Sequence, residues 1–333
     1  MTANLRDEII YYTSYRMNFW NCNRPCFDKN LYFLLPALFK HPSIHPSQPP
    51  RRAMSSSSTH NSSSRALRIG IIGFGPFAQF LSKTITKQRH QLQATSRTDH
   101  SQLCARMGIT FFSDVGEFLE SGNDVIMIST SILSLSEVLK TIPFHRLRRP
   151  TLFVDVLSVK EYPRASLLQV VPEDSDILCT HPMFGPESGK DGWEGLNFMY
   201  ERVRVRDHET CSSFLQIFEK EGCRMLEMSC EKHDKLAARS QFIAHTIGRV
   251  LAEMDVDSTD IDTKGFESLV QLKRGTERDS FDLFSGLFIH NRFAKQELEN
   301  LGLTFGKIKE RLLQRMEEVE TTNPAENSTR DEN

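Results

Sequence analysis

Residues 67–78 read LRIGIIGFGPFA, and this stretch decides the fold. The apolar run LRIGII predicts a buried strand, and a G-x-G-x-x-A turn follows it. In such a turn the first glycine permits a tight bend, and the second lets a pyrophosphate approach the backbone. A helix that opens with proline then presents free N–H groups and its positive dipole end to phosphate. We therefore predict a dinucleotide site, with a purely structural turn as the alternative. The expected cofactor contacts of this turn are Gly73, Gly75, Pro76, Phe77 and Ala78.

The chain up to residue 230 alternates between short apolar strands and helices. Strand patterns occur at 67–73, 91–96, 108–112, 124–130, 151–156 and 176–181, and the segments 197–205 and 223–228 are candidate extensions of the sheet. Continuous apolar strands separated by helices indicate a parallel sheet covered on both faces. After residue 230 apolar residues recur only at helical spacing. The predicted fold class is α/β, a Rossmann-type doubly wound, mostly parallel sheet followed by an all-helical second domain.

The expected domains follow from these patterns. They are a disordered leader at 1–66, a dinucleotide-binding domain at 67–230, a helical substrate and dimerisation domain at 231–320, and a disordered tail at 321–333. The amphipathic helices of the third segment carry more apolar surface than one small domain buries. They predict a homodimer formed through that domain.

Composition excludes several classes of partner. The 333 residues contain 41 Lys and Arg against 43 Asp and Glu, so no basic excess favours nucleic acid. No uninterrupted apolar stretch approaches the roughly 18 residues that a membrane-spanning helix needs. The seven cysteines are irregularly spaced, and Cys22 and Cys26 have no second pair after them, so we expect no metal site.

The leader has two interpretations. Residues 1–66 contain eight basic and three acidic residues, and serine dominates residues 53–64. A basic, serine-containing leader resembles a transit peptide, which would place the protein in the plastid stroma. Translation from Met54 would make the preceding residues an extension and would favour a cytosolic protein.

The end of the second predicted strand indicates which dinucleotide is bound. A cofactor with a free ribose 2′-OH usually meets an acidic residue at this position. Here the hydroxyls and guanidinium of Ser96, Arg97 and Thr98 suit a 2′-phosphate, and the nearest acid, Asp99, lies past the strand end. We predict NADP, with a solvated loop as the alternative. Ser131, after the strand at 124–130, is a further expected cofactor contact.

Two later strand ends carry more polar residues than burial requires, DVLSVK at 155–160 and THPMFGPE at 180–187. Ligands of open α/β sheets bind at the carboxyl ends of strands. We predict that Ser158 and His181 share a hydrogen bond there, so that serine orients the ring and histidine accepts a proton. A capping serine and a satisfied loop histidine are the alternative. No G-x-S-x-G turn surrounds Ser158, which argues against a hydrolase.

Four segments together carry a family resemblance: GIIGFGPFAQFL, CTHPMFGPESGKDGW, SQFIAHTIGRVL and DSFDLFSGL. They resemble the plant arogenate and prephenate dehydrogenases of tyrosine biosynthesis, over roughly residues 67–310. The resemblance implies an oxidative decarboxylation in which a hydride passes from the hydroxyl-bearing ring carbon to the nicotinamide. It also implies that His181 accepts the ring-hydroxyl proton and that Ser158 orients it.

The resemblance assigns the substrate pocket as well. It places Gln241 and His245 on a helix that closes the pocket, beside Thr276 and Asp279. In the resembling plant enzymes the residue before SFDL sorts the substrates, with Asp in arogenate-preferring members and Asn in prephenate-preferring ones. Asp279 therefore implies arogenate. Without the family, an N-cap aspartate would be the preferred interpretation of this residue.

The sequence departs from the microbial relatives at one position of the substrate pocket. Microbial relatives carry a carboxylate-binding arginine after a GF motif, but the stretch GFESLVQ at 265–271 has none. Lys273, Arg274 and Arg278 are nearby substitutes, with plain surface cations as the alternative.

The rival functions are prephenate dehydrogenase, which yields 4-hydroxyphenylpyruvate, and a non-catalytic NADP-binding regulator. A hydroxyacid dehydrogenase would want a catalytic lysine in the helical domain.

Overall fold

A computed structural model describes residues 65–322 of the chain. They belong to one compact unit, Asn61–Asn333. Eight strands lie within the described residues: β1 Arg68–Ile72, β2 Gln91–Thr95, β3 Thr110–Phe112, β4 Val125–Ile128, β5 Leu152–Asp155, β6 Asp176–Pro182, β7 Asn197–Arg204 and β8 Arg224–Glu227.

The strands form one sheet in the order β3-β2-β1-β4-β5-β6-β7-β8. The first six in this order run parallel, β7 pairs antiparallel with β6, and β8 pairs parallel with β7. The order 3-2-1-4-5-6 is that of the dinucleotide-binding Rossmann sheet. The predicted mostly parallel sheet and both of its extensions are confirmed.

Strand β4 shows that both faces of the sheet are covered. Val125 and Met127 lie in one buried apolar cluster, and Ile126 and Ile128 lie in the other. Successive side chains of a strand point to opposite faces, so an unbroken apolar strand requires a helical layer on each side. Because β1 to β6 are parallel, their carboxyl ends meet at one edge, where the turn after β1 also lies.

Eleven α-helices accompany the sheet within residues 65–322. They are α1 Pro76–Lys87, α2 Ser101–Arg106, α3 Val115–Glu120, α4 Leu135–Thr141, α5 Glu161–Val170, α6 His208–Lys220, α7 Cys230–Ala237, α8 Ile243–Glu253, α9 Lys264–Glu277, α10 Phe281–Ile289 and α11 Ala294–Thr322. From Cys230 onward the described chain is all helical, as predicted. None of these helices is long and apolar enough to cross a bilayer.

The helical region has two features that shape the site. A π-helical turn, Ala238–Phe242, joins α7 to α8, and such turns often occur at functional positions. Helices α8 and α9 approach closely at Gly248, where an added Cβ would lie 2.2 Å from the Thr276 hydroxyl.

The two terminal segments that we predict to be disordered lie mostly outside the described residues. This applies to nearly all of the leader at 1–66 and to the tail. The expected tail boundary is two residues too early, since α11 continues to Thr322. The division into domains at 230/231 stays a prediction.

Candidate active site

The glycine-rich turn after β1 has the geometry that its pattern predicts. Gly73 has φ +90°, and an added Cβ would lie 2.6 Å from the carbonyl oxygen of Ser129, so only glycine fits. Gly75 precedes Pro76 at the N-terminus of α1, and no side chain caps that helix. A Cβ added at Gly75 would meet nothing within 4 Å. The turn therefore leaves open space beside uncapped helix N–H groups, which suits a dinucleotide pyrophosphate.

The end of β2 lacks an acidic side chain directed to a ribose. Asp99 accepts a hydrogen bond from the backbone N–H of Ser101 at 2.8 Å, at the start of α2. Arg97 is exposed and has no hydrogen-bond or ion-pair partner within residues 65–322. Ser96 and Thr98 flank it. A cationic, hydroxyl-bearing loop therefore follows the second strand.

Ser131 follows β4 at the same edge. Its hydroxyl oxygen accepts a hydrogen bond from the backbone N–H of Ser134 at 3.2 Å, and so caps a short 3-10 turn. Thr130 beside it has a buried hydroxyl without a partner. The next strand ends bring the candidate catalytic residues to this edge.

His181 lies on β6 and is 3% exposed. Its Nδ1 is 2.9 Å from Nε2 of His233, and Nδ1 of His233 is 2.8 Å from a carboxylate oxygen of Asp234. The predicted hydrogen bond between Ser158 and His181 is absent, and the half-buried Ser158 makes no side-chain hydrogen bond in the described chain. His233 occupies Nδ1 of His181, and Nε2 of His181 has no hydrogen-bond partner among the described residues.

Burial determines the protonation of His181. Desolvation lowers its pKa well below the ordinary 6.5, and the positive charges of His233, when protonated, and of Lys160 lower it further. Lys160 is itself fully buried and pairs with Asp155 and the carbonyl oxygen of Thr180. His181 is therefore a neutral imidazole near pH 7, which is the form a proton acceptor needs.

The π-helical turn and α8 carry polar side-chain atoms that have no hydrogen-bond partner. Gln241 Oε1, His245 Nδ1 and Arg249 Nε are all buried without a hydrogen-bond partner. They lie four residues apart, so the three side chains share one face of the helix formed by the π turn and α8. Buried polar atoms are normally satisfied, and a row of exceptions indicates a face that meets a polar ligand.

Asp279 lies between α9 and α10 and does not cap the next helix. The cap of α10 is Ser280, whose hydroxyl accepts a hydrogen bond from the N–H of Leu283 at 3.1 Å. The N-cap interpretation of Asp279 is therefore wrong. Its carboxylate instead lies 3.8 Å from Nδ1 of His245. Arg249 donates to the carbonyl oxygen of Asp279 at 2.8 Å, which fixes this loop against α8.

The other predicted pocket residues have different surroundings. The Thr276 hydroxyl donates to carbonyls of its own helix and packs on Gly248, so it contributes to the helix contact. Lys273 binds the carbonyl oxygen of Val256 and the carboxylate of Asp257.

The two arginines suggested as carboxylate partners lie elsewhere. Arg278 pairs with Glu187 at 2.7 Å, across to the loop after β6, and Arg274 is exposed on α9. Neither has a buried guanidinium.

Three residues of the site were not predicted from the sequence: His233, Asp234 and Arg249. The first two lie in the segment CEKHDK, whose composition is typical of a solvated helix face. Arg249 carried only one signal, its spacing of four residues from His245. Residues 65–322 contain no cluster of three or more His, Cys, Asp or Glu side chains placed to hold a metal ion. Cys22 and Cys26 lie outside this range.

Two family models match separate parts of the chain. Residues 78–205 match the model described as "Prephenate dehydrogenase, nucleotide-binding domain". Residues 250–323 match the model described as "TYRAAT1-like, C-terminal domain".

Two relatives from Arabidopsis thaliana are similar over most of the described chain. Arogenate dehydrogenase 1, chloroplastic, is 53% identical over 254 residues, which make up 75% of this chain and 40% of that protein. Arogenate dehydrogenase 2, chloroplastic, is 52% identical over 257 residues, 76% of this chain and 72% of that protein. The chain thus aligns with less than half of the first relative's length.

The fold also matches solved structures. Prephenate dehydrogenase from A. aeolicus, in complex with hydroxyphenyl propionate and NAD+, aligns with a TM-score of 0.61 at 16% identity, covering 79% of this chain and 96% of that one. Sheet order, glycine turn and buried histidine together define a Rossmann-type dehydrogenase. The sequence identity to the plant relatives, and the length over which it extends, show which family of dehydrogenases this is. The chain belongs to the arogenate dehydrogenase family, which confirms the resemblance.

Proposed function

We propose that the protein catalyses the NADP-dependent oxidative decarboxylation of arogenate to tyrosine. The observation that carries the proposal is the buried, neutral His181 at the sheet edge that also holds the glycine-rich turn. The family to which the chain belongs indicates the reaction in which such a base would act. A prephenate dehydrogenase and a non-catalytic NADP-binding regulator are the alternatives.

The proposed reaction needs one proton acceptor and accurate alignment. The nicotinamide cofactor supplies the acceptor for the hydride that leaves the hydroxyl-bearing ring carbon. His181 takes the hydroxyl proton as that carbon becomes a carbonyl carbon. The ring carboxylate then leaves as carbon dioxide, its bonding electrons complete the aromatic ring, and the oxygen regains a proton as the phenol. Aromatisation drives the reaction, so the protein mainly has to position the reactants.

NADP is preferred over NAD in this proposal because of the loop after β2. The unpaired guanidinium of Arg97 and the hydroxyls of Ser96 and Thr98 offer charge-assisted hydrogen bonds to a 2′-phosphate. Asp99, the only nearby acid, is already engaged with Ser101. We expect a lower KM for NADP than for NAD, and the opposite preference would contradict the assignment.

Asp279 supports arogenate over prephenate. Arogenate carries an ammonium group where prephenate carries a keto oxygen, and an ammonium group left unpaired in a closed site is costly. Because Ser280 caps α10, the Asp279 carboxylate does not take part in capping. It lies beside His245 instead. An anion at this place also disfavours prephenate, which offers no positive charge there.

Arg249 is our assignment for the partner of a substrate carboxylate. Its Nε is buried and unpartnered, and it shares a helix face with Gln241 and His245. Its guanidinium donates to the backbone carbonyls of Asp279 and Ser280 and lies over the rings of Phe281 and Phe284. It forms no ion pair with a carboxylate among the described residues. A guanidinium suits a carboxylate because it donates in a planar fork.

The direct test is NADPH formation, followed by absorbance, when the protein meets NADP with arogenate or with prephenate. We expect turnover that favours arogenate. Turnover that favours prephenate would replace the first proposal with the second. Measurable NADP binding without turnover of either substrate would favour the regulator.

We also propose a homodimer through the helical region. Among the 29 residues of α11 only Ala294 is buried. The exposed apolar residues of this helix include Phe305, Ile308, Leu312 and Met316, at spacings that place them on one face. An apolar stripe of this length is typical of a subunit interface.

For localisation we propose plastid import directed by residues 1–66. The excess of basic residues in this segment and the chloroplastic names of the two Arabidopsis relatives support it. A fluorescent protein fused behind residues 1–66 should accumulate in plastids of plant cells. Cytosolic fluorescence would instead support translation from Met54.

A further inference from the structure

We propose that His233 and Asp234 are positioning residues that set the tautomer of His181 and anchor the loop carrying Ser158. The proposal deepens the function proposed above and rests on it only for its kinetic test. Both lie on α7, and His233 meets the ring of His181 at Nδ1 rather than at the free Nε2.

The chain of hydrogen bonds assigns each proton. A carboxylate only accepts, so Nδ1 of His233, 2.8 Å from Asp234, carries a hydrogen. The other nitrogen of a neutral imidazole is an acceptor. Nε2 of His233 therefore accepts from Nδ1 of His181 at 2.9 Å. This leaves the lone pair of His181 on Nε2, the nitrogen free to take the substrate proton.

The same carboxylate also holds the neighbouring catalytic loop. Its two oxygens accept hydrogen bonds from the backbone N–H groups of Lys160 and Glu161, at 2.8 and 2.9 Å. These are the first N–H groups of α5, which starts directly after the loop of Ser158 and has no cap of its own. Asp234 is fully buried. One carboxylate thus holds the start of α5 directly and, through His233, the ring of His181 on β6.

The alternative arrangement is a protonated His233. Both of its nitrogens would then donate, Nδ1 of His181 would accept, and His181 would carry its hydrogen on Nε2. That arrangement would remove the base from the site. The two arrangements differ in a property that can be measured without turnover.

The first test is nitrogen NMR of the full chain labelled at histidine ring nitrogens. Comparison with His181→Gln identifies the His181 signals. We expect a protonated Nδ1 and an unprotonated Nε2 at neutral pH. A hydrogen on Nε2 of His181 would overturn the proposal, whatever the protein's substrate proves to be.

The second test compares two substitutions of His233. Glutamine can donate to Asp234 and accept from His181 in the same order, whereas leucine can do neither. We expect His233→Leu to lower kcat about 10–100-fold, the scale seen when partners that orient a histidine ligand are removed. His233→Gln should recover most of this loss, and the KM for arogenate and the Kd for NADP should stay unchanged in both.

His208→Leu, an exposed histidine at the start of α6, is the matched control and should behave as wild type. Equal kcat losses in the Gln and Leu variants, or a wild-type kcat in His233→Leu, would overturn the positioning role. A wild type that turns over neither arogenate nor prephenate would instead refute the proposed function, and the NMR result would still decide the tautomer.

Discussion

His181 owes its chemistry to what surrounds the ring. Burial lowers its pKa well below 6.5, and the titratable groups that face it are Lys160, paired with Asp155, and His233, paired with Asp234. In the proposed mechanism the neutral ring is the active form, so acid should inactivate the enzyme only below this lowered pKa. The acidic limb of kcat should therefore lie below pH 6.5.

The same experiment includes His181→Ala. This variant should lose about 10²–10⁴-fold in kcat, the usual range for a general base, while NADP binding is kept. Its residual rate should show no acidic limb from this residue. A limb at or above pH 6.5 that survives the substitution would assign the base elsewhere.

We expect Asp279 to decide between two substrates that differ in one functional group. In Asp279→Asn the carboxylate beside His245 becomes neutral, and the ammonium of arogenate loses its charged partner. We expect kcat/KM for arogenate to fall roughly tenfold to hundredfold, and that for prephenate to rise. Steady-state kinetics with both substrates measure the effect. Asp282 is exposed in the first turn of α10, so Asp282→Asn is the control and should change neither value. A wild type that prefers prephenate would refute the assignment.

Arg249 and Arg274 offer a matched pair of cations. Arg249→Gln removes the guanidinium with a buried, unpartnered Nε, so the KM for arogenate should rise about 10–100-fold with little change for NADP. Arg274→Gln removes an exposed cation of α9 and should leave both values near wild type. A larger loss in Arg274→Gln would move the carboxylate subsite to α9.

At the scale of elements, the contact of α8 with α9 sets the distance between His245 and Asp279. A Cβ at Gly248 would lie 2.2 Å from Oγ1 and 2.8 Å from Cγ2 of Thr276. Gly248→Ala should therefore destabilise the fold by roughly 1–3 kcal/mol and raise the KM for arogenate. Thermal unfolding and kinetics report the two effects.

Gly275→Ala is the control for that substitution. Gly275 lies inside α9, and an added Cβ would meet nothing within 4 Å. Alanine is the better helix former by about 1 kcal/mol, so this variant should be as stable as wild type or more so. Equal behaviour of the two variants would mean that α8 and α9 separate without cost.

The elements also show how far sequence reasoning extends. Strands and the sheet order follow from apolar runs and the glycine turn, because local periodicity and the parallel crossover rule constrain them. The contact of His181 with His233 spans 52 residues and joins a strand to a helix in which half of the residues are charged (Glu231, Lys232, Asp234 and Lys235). No local pattern encodes such a contact. Likewise, Asp279 and Ser280 are both good capping residues, and only the backbone geometry shows that Ser280 is the cap.

At the scale of the whole molecule, α11 gives a prediction about assembly. Light scattering should report a particle near twice the 38.2 kDa of the chain. Leu312→Glu places a charge on the apolar face of α11 and should shift the particle towards one chain, because a buried unpaired charge is costly. Gln314→Glu adds the same side chain on the opposite side of the helix and should leave the dimer intact. A wild type that is monomeric at micromolar concentration would contradict the interface.

The ion pair between Glu187 and Arg278 has a kinetic consequence. It joins the loop after β6 to the end of α9, and its two side chains are 59% and 63% exposed. Water and dissolved salt compete for both partners, so such a pair forms and breaks at little cost. The contact between the loop after β6 and the end of α9 can therefore open and close many times while the buried core stays intact. Under the proposed function, we expect higher ionic strength to weaken this contact and so to change the rate of product release, whereas the buried His181 should be insensitive to salt.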